Sequence, residues 1–579
     1  MCGIAGLIGG QTDPGVIRAM TAALRHRGPD DSGEWSEGPA ALGHTRLSII
    51  DLSAAGHQPM ILGDLVLVYN GEIYNHRELA RTLPGPFRSL SDTEVLLHLY
   101  ARDGPDCLRH LNGMFAFAIW DRRRRRLFAA RDRIGIKPFI YRELPRGGFA
   151  FASELKSLLP LGKPPIDRSA VRDYLLHGYV PAPKTIYSGI AKLPAAHSLV
   201  WQDGQVQVRR YWAPGAEIRY TDAASAIGRL DELLATIMPE HTLADVPVGV
   251  FLSGGIDSPT MAWYLDRPKT YTLGFDSKSH SEADAARAVA AHFGTDHHEI
   301  SAGPPDLGKA LAAMPRIYDE PFGDSAGWSA YVISQLARRN VTVALSGEGG
   351  DELFCGYRRY WEGVGTRSNA LTRALARGLP PLSRLGHSMQ RRAAHDLEGF
   401  AALLGGLLPR QLRELLADEY LDPGADDLWF FRQYWREDLH PTQAMRWLDL
   451  HTNLAEGLLT KVDRASMAHS LEVRPPFLDH RLVEFALSLH PDLLVDARAG
   501  RGKLLVRRLM EKRLPPGHLE RSKRGFGLPV HRWVRRHPEL LEQAQRRLLD
   551  AGILRRRVSA DFRRIWSLLV LDQWLGQYG

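Results

Sequence analysis

Over roughly the first 212 residues, apolar positions come in short bursts separated by glycine and polar residues. "ALGHTRLSIID", "LVLVYNGEIYN", "MFAFAIW", "RLFAARD" and "GFAFASE" are rich in branched and aromatic side chains and predict β-strands. Two segments change to a helical period, "GVIRAMTAALRHRG" and "SDTEVLLHLYARDG". Both stop at a glycine, and the second opens on a good capping residue. The pattern predicts stacked, largely antiparallel sheets with helices outside. A turn-rich stretch, "RRYWAPGAEIRYTDAAS", marks a boundary near residues 212–222. From about residue 223 strands and helices alternate. "PVGVFL" is a continuous apolar run, as a strand covered on both faces would be, and it leads into "SGGIDS" and a helix from Pro259. Strand "TYTLGF", helix "EADAARAVAAHFG", strand "DHHEI", another helix and strand "VTVAL" follow. This βαβ rhythm predicts a doubly wound parallel sheet. Beyond about residue 357 the chain is helical in character and rich in Leu, Ala and Arg. The expected organisation is an α+β domain over residues 2–212 and an α/β domain over 223–579.

Length agrees, since 579 residues are too many for one hydrophobic core. Hydrophobic residues at 44% and charged residues at 24% are ordinary globular values, so neither a fibrous nor a disordered chain is expected. There is no apolar run of about 18 residues, as a membrane helix would need. The amino terminus lacks a basic flank, and its apolar stretch reaches polar "GGQTDPG" too soon for a secretory signal. Three cysteines, Cys2, Cys107 and Cys355, make an odd count without metal-type spacing, which predicts a reduced, cytoplasmic protein. The net charge of +8 is small for this length. Its one dense basic run, Arg122 to Arg126, lies between two strand patterns and reads as a hairpin tip. No recognition motif is interleaved with it, so no nucleic-acid partner is expected.

Candidate chemistry concentrates at two strand ends. "VFL" runs into Ser253-Gly254-Gly255-Ile256-Asp257-Ser258, and "VAL" into Ser346-Gly347-Glu348-Gly349-Gly350-Asp351-Glu352. Adjacent glycines let backbone N–H groups approach a phosphate, and a following helix N-terminus favours the anion. Ser258 suits the cap of that helix and Pro259 its first position. Asp257 and Asp351 add one carboxylate to each loop, and Mg²⁺ bridging phosphates takes one or two. A nucleoside triphosphate site with Mg²⁺ follows, and not of the Walker type, because G-x-x-x-x-G-K-[ST] is absent. Cys2 reads in two ways. It is a small apolar residue opening "CGIAGLI", or, once Met1 is removed, a nucleophile whose own α-amino group, with a reference pKa near ~8, serves as base.

"SGGIDS" resembles the pyrophosphate loop of the ATP-pyrophosphatase superfamily. With "LSGEGGDELFCGY", "KVDRASMAHSLEVRPPFLDHR", "SKRGFGLPVHRW" and the amino-terminal "MCGIAG", "RHRGPD", "RLSIID", "NGEIYN", "SDTE", "RDRIGIKP" and "FASELK", the chain resembles the glutamine-hydrolysing asparagine synthetases along nearly its whole length. The resemblance implies an αββα sandwich of the N-terminal-nucleophile type followed by an ATP-pyrophosphatase-type sheet. It implies that Cys2 attacks the glutamine amide, with the Asn70 side chain and Gly71 N–H as oxyanion donors. It assigns Arg46, Leu47, Ser48, Ile49, Ile50, Asn70, Gly71, Glu72 and Asp92 to glutamine binding, with Arg46 for the α-carboxylate and Glu72 and Asp92 for the α-ammonium. Helix capping is a rival role for Asp92. In the second half it implies that a carboxylate attacks the α-phosphorus of ATP and that ammonia then displaces AMP. Phe251, Ser253, Gly254, Gly255, Asp257, Ser258, Leu273, Ser346 and Gly347 match ATP contacts, Asp257 and Asp351 the Mg²⁺ carboxylates, and Glu348 the base for ammonia. A basic residue that steadies the intermediate is Lys461 or Arg464; the sequence leaves both open. A closed passage for ammonia between the domains is implied. Aspartate is the expected acceptor, with another carboxylate as the alternative, and a homodimer is possible. Three positions depart from the family pattern: Pro259, Cys355 where glycine is common, and "EVRPPFLDH".

Overall fold

The computed structural model describes residues 2–9, 13–275, 283–302, 306–362, 396–404, 407–422, 424–521, 530–559 and 564–579. The "SKRGFGLP" part of the last quoted motif therefore lies outside the described residues. Strands in the amino-terminal half are β1 (Gly3–Ile8), β2 (Asp31–Glu37), β3 (Ala40–Arg46), β4 (Met60–Leu62), β5 (Leu65–Ile73) and β6 (Gly113–Asp121). They continue as β7 (Arg126–Arg131), β8 (Ile140–Leu144), β9 (Gly148–Ala152), β10 (Ile190–Lys192), β11 (His197–Gln202) and β12 (Gln205–Arg210). Two six-stranded antiparallel sheets result, in the orders β10-β8-β9-β1-β3-β2 and β12-β11-β7-β6-β5-β4. Helices here are α1 (Pro14–Ala22), α2 (His76–Ala80), α3 (Asp92–Asp103) and α4 (Arg168–His177).

The layers follow from side-chain alternation. Ile4, Ile8 and Leu42 of the first sheet meet Val66, Val68, Ala118 and Trp120 of the second in one apolar layer. The opposite face of β5 and β6 packs on α3 through Leu67, Tyr69, Phe115 and Phe117 against Leu96, Leu97 and Tyr100. On the other side, Ala5, Leu7, Ala150 and Ala152 pack against Ile17 and Met20 of α1. Helix, sheet, sheet, helix is thus the layer order, as expected. α1 starts where Asp13 accepts from the Gly15 N–H, and α3 where the Ser91 side chain accepts from the Thr93 N–H. The arginine run forms the turn between β6 and β7, with Arg122 paired to Glu37 at 2.9 Å.

The carboxy-terminal half begins with α5 (Ala223–Glu240) and builds a five-stranded sheet. Its strands are β13 (Val248–Phe251), β14 (Lys269–Phe275), β15 (Asp296–Ala302), β16 (Val343–Leu345) and β17 (Glu472–Arg474). They lie in the order β15-β14-β13-β16-β17, all parallel. The connecting helices are α6 (Asp257–Trp263), α7 (Ala283–Phe293), α8 (Leu307–Tyr318) and α9 (Ala326–Ala337), with α10 (Gly350–Phe354) after β16. The strand order reverses between β13 and β16, so both glycine loops open at the switch point where such sheets bind ligands. Two expectations need correction. α6 begins at Asp257 rather than Pro259, and Ser258 does not cap it; its hydroxyl instead accepts from the Ser253 N–H at 2.8 Å. Pro259 sits in the first turn, where a missing N–H leaves no intrahelical bond unmade. Among the described residues no helix is long and apolar enough to cross a membrane.

The two halves join over a charged seam removed from water. Arg27, fully buried, donates to Cys2 O (3.0 Å), Glu154 Oε1 (2.7 Å) and both oxygens of Asp463 (2.9 and 3.1 Å). Arg464 pairs with Glu154 at 2.9 Å, and Lys137 lies 3.8 Å from Asp463. Arg474 at the end of β17 donates to Glu472 (2.6 Å), to the carbonyls of His241 and Leu243 (2.9 and 2.8 Å) and to Glu72 of β5 (2.8 Å).

Histidines in the interior contribute to the acid limit of this fold. Burial drops His44 and His177 from 6.5 to about 3, so both are neutral when folded. On unfolding each regains its ordinary affinity and binds a proton below about 6.5. Their folded pKa values are depressed, so their contribution is complete above pH 6.5 and is lost as pH falls toward 3. The melting temperature at fixed ionic strength should hold between pH 7 and 8 and decline steadily from 6.5 to 4; a flat profile down to pH 4 would contradict the assignment.

Candidate active sites

Cys2 lies just ahead of β1, a central strand of the first sheet, beside β5 of the second. Its backbone nitrogen donates to Asn70 Oδ1 at 2.9 Å, which fixes the amide so that Asn70 Nδ2 is the free end. That Nδ2 is buried and makes no hydrogen bond. Leaving a buried donor unmade costs about 1–3 kcal/mol, so a ligand atom is the expected partner. Gly71 supplies a second donor on the same edge. The N–H groups of Tyr69 and Ile73 point away from β6, to Gln58 Oε1 (2.7 Å) and Asp92 Oδ2 (3.0 Å). Strand alternation sends the Gly71 N–H the same way. A side chain at Gly71 has no room, because its Cβ would sit 2.3 Å from Met114 O. Burial pushes the Cys2 thiol above its usual range, against the lowering effects of the Leu47 N–H and Arg46. A thiol held protonated needs a base beside it to become a nucleophile.

The expected glutamine-binding residues lie at the end of β3 and on the loop after it, on β5 and at the start of α3. The Arg46 guanidinium is gripped by its own loop, donating to Ser53 O (2.9 Å), Ile50 O (3.4 Å) and Asp51 O. Leu47 and Ile49 bury into the second domain against Val343, and the Ser48 N–H donates to Asp30 Oδ2 at 2.8 Å. Asp92 does not cap α3; Ser91 does. Asp92 instead accepts from the Tyr69 hydroxyl (2.7 Å) and the Ile73 N–H, pinning the end of β5. Glu72 keeps one oxygen on Arg474 and leaves Oε1 buried without a partner. Burial pushes its carboxyl well above the usual range, and the Arg474 charge only partly opposes that.

At the second site, Ser253 and Ser258 clamp the first glycine loop: their hydroxyls are 3.0 Å apart, and the Gly255 N–H donates to Ser253 Oγ at 3.2 Å. The second loop lies against it. A Cβ on Gly350 would come within 2.6 Å of the Asp257 carboxyl, and one on Gly347 within 3.1 Å of Asp257 Cβ. Phe251 ends β13, Leu273 is buried in β14, and the Ser346 N–H extends the ladder to Arg474 O at 2.9 Å. Asp257 and Asp351 converge on one cation, Lys503, which touches Asp257 and lies 2.6 Å from Asp351. Sequence reasoning missed Lys503: nothing marks it in the basic stretch "RAGRGKLLVRR". Its left-handed backbone (φ +58) ahead of the helix Leu504–Met510 is what carries it to the site. Asp257 Oδ1 remains buried without a hydrogen bond. Two carboxylates, one with an open oxygen, fit Mg²⁺, which keeps several waters and binds phosphate oxygens.

Lys461 and Arg464 part company here. Burial opposes the charge of Lys461, but Glu348, Asp324 and Glu352 together hold its ammonium above the usual range. Arg464 instead faces Glu154 in the seam. Glu352, buried one turn past Glu348, is raised to about 7 by burial and by Asp449, and accepts from the Tyr357 hydroxyl at 2.8 Å. Cys355 explains why glycine suits its position: the backbone there is left-handed (φ +60), and its thiol is buried and pushed up to about 12.

Residues 1–212 match the glutamine amidotransferase domain family, and residues 229–576 the asparagine synthase family. A putative asparagine synthetase (glutamine-hydrolyzing) of Mycobacterium tuberculosis is 35% identical over 99% of this chain and 95% of its own. Asparagine synthetase (glutamine-hydrolyzing) 1 of Bacillus subtilis is 30% identical over 99% and 96%. The amidase chyE of Penicillium rubens is 27% identical over 88% and 85%. Among solved structures, a glutamine phosphoribosylpyrophosphate amidotransferase from B. subtilis aligns with a TM-score of 0.29 and 16% identity over 60% of this chain and 82% of that one. The chain belongs to the glutamine-hydrolysing asparagine synthetase family, ATP-dependent carbon–nitrogen ligases that take nitrogen from glutamine.

Proposed function

We infer that this protein makes asparagine from aspartate, with glutamine as nitrogen donor and ATP cleaved to AMP and pyrophosphate. The observation that carries the glutamine half is the buried, partnerless Asn70 Nδ2 beside Cys2. With Met1 removed, the Cys2 nitrogen is the α-amino base that takes the thiol proton. The sulfur attacks the glutamine amide carbon, the oxygen turns toward Asn70 Nδ2 and the Gly71 N–H, and ammonia leaves a thioester that water hydrolyses. Arg46 receives the α-carboxylate, and Glu72 and Asp92 lie on the ammonium side.

In the second half, the aspartate β-carboxylate attacks the α-phosphorus, and pyrophosphate departs into the Ser253–Ser258 loop. Mg²⁺, held by Asp257 and Asp351, would supply charge neutralisation for the departing phosphates. Lys503, already between those carboxylates, offers its ammonium to the same oxygens. Ammonia then displaces AMP, with Glu348 accepting its proton and Lys461 steadying the adenylate; the seam contacts of Arg464 favour Lys461 for that task. Aspartate is supported by the names of the relatives that span the whole chain. A different carboxylate is favoured by the departures at Cys355 and Pro475, which lie near the acceptor end as the family builds it, and by the relative named an amidase.

Mass-spectrometric product analysis with ATP, Mg²⁺, glutamine and aspartate separates the two readings. Asparagine with AMP and pyrophosphate is the expected result; glutamate release without asparagine would move the acceptor to another carboxylate, and neither glutamate nor AMP would contradict the enzyme reading. In the same assay Cys2→Ala should retain ammonia-driven synthesis while losing glutamine-driven synthesis. Asn70→Ala should lower kcat for glutamine hydrolysis by about 10²–10³, the usual loss for one oxyanion donor, with ammonia-driven synthesis unchanged.

A further inference from the structure

The loop that presents Arg46 is held from the other domain. Arg46 donates to three carbonyls of residues 50–53, so its guanidinium goes where that loop goes. Within the amino-terminal half the loop is tied by Asp51, whose carboxylate accepts from the N–H groups of Ser53 (3.1 Å) and Leu90 (2.9 Å). The Ser48 N–H adds a tie to Asp30 Oδ2 at 2.8 Å, and two further ties come from one residue of the synthetase half. The Asp245 N–H donates to Ile49 O at 2.8 Å, and the Asp51 N–H donates to Asp245 Oδ2 at 2.8 Å. Leu47 and Ile49 seal the contact against Val343, Val246 and Val248. The recess in front of Arg46 and Ser48 is walled on its far side by Val246, Arg338 and Thr342, again from the synthetase half.

Asp245 also stands at a particular place in the second fold. Three residues on, β13 (Val248–Phe251) begins, and directly beyond its far end lies Ser253 of the first glycine loop. Four strand residues span about 13 Å, so the Arg46 loop and the phosphate loop hang from opposite ends of one short, fully flanked strand. We propose that Asp245 is a positioning residue for the glutamine site, and that β13 transmits occupancy of the phosphate loop to it. The coupling rests on the reading that Arg46 receives glutamine. It has a thermodynamic corollary: a nucleotide that tightens glutamine binding must itself bind more tightly when glutamine is present.

Glutamate release by the full-length protein, with ammonia-driven synthesis as control, tests this. Asp245→Ala leaves the Asp51 N–H without its acceptor and should raise KM for glutamine roughly three- to tenfold, the range of one partly exposed hydrogen bond, while kcat changes by less than about twofold. Asp245→Asn keeps an oxygen acceptor at the same reach and should restore the wild-type KM. Adding α,β-methylene-ATP with Mg²⁺ should lower the wild-type KM and leave that of Asp245→Ala unmoved. An unchanged KM in Asp245→Ala, an equal response of both proteins to the analogue, or a parallel loss of kcat and ammonia-driven synthesis would each overturn the proposal. No glutamate release from the wild-type protein would instead bring down the glutamine reading, and the coupling with it.

Discussion

Arg27 carries the constraint on which the two-domain arrangement depends. A guanidinium with no exposed surface is tolerable only while fully paired, and its partners are a carboxylate from each half of the chain, Glu154 and Asp463, plus the carbonyl of Cys2. Breaking such a pair by removing one partner costs about 3–5 kcal/mol, because the charge left behind has no water. The seam therefore resists separation of the halves, and it does so within one residue of the candidate nucleophile. Arg464, Lys137 and Arg474 extend it, so charge crosses the joint at several points rather than one. Between the halves lies a cavity lined by Arg131, Ile136 and Pro138 on one side and Tyr318, Thr460 and Arg464 on the other. Its walls are the same segments the ion pairs hold together.

Several motifs that mark the family in the sequence turn out to be seam motifs. "RHRGPD" supplies Arg27, "RDRIGIKP" Lys137, "FASELK" Glu154, "KVDRAS" Asp463 and Arg464, and "EVRPPFLDH" Glu472 and Arg474. Their side chains tie the two halves of the chain together across the joint. Glu72 shows how close the seam comes to the candidate glutamine site: one carboxylate oxygen accepts from Arg474 and the other is buried without a hydrogen bond.

What the sequence disclosed and what it hid divide along physical lines. Strands buried on both faces, such as β6 and β13, announce themselves by continuous apolar runs, and the glycine loops by their place at strand ends. Strand β2, "DSGEWSE", lies at a sheet edge and presents polar side chains to water, so its periodicity is too weak to read. β17 has three residues and borrows its partner from β16, 129 positions earlier in the register Leu345 to Arg474, a pairing no local pattern encodes. Cys2, Asn70 and Gly71 were legible through chemistry and family resemblance together. Lys503 and Asp245 were not, because what singles them out is a left-handed backbone in one case and a cross-domain hydrogen-bond pair in the other. The capping role weighed for Asp92 went to Ser91, one residue earlier, since a strand end competes for the Asp92 carboxylate.

On the proposed function, nitrogen released at Cys2 passes inside the joint between the halves to the adenylate at the second site. Synthesis with amide-¹⁵N glutamine, run in a large excess of unlabelled ammonium at saturating glutamine, measures this directly through the isotope content of the amide product. Retention of the label in the product is the predicted result. Dilution of the label to the isotopic composition of the bulk ammonium would mean that the nitrogen leaves the protein between the two sites, and would contradict internal transfer.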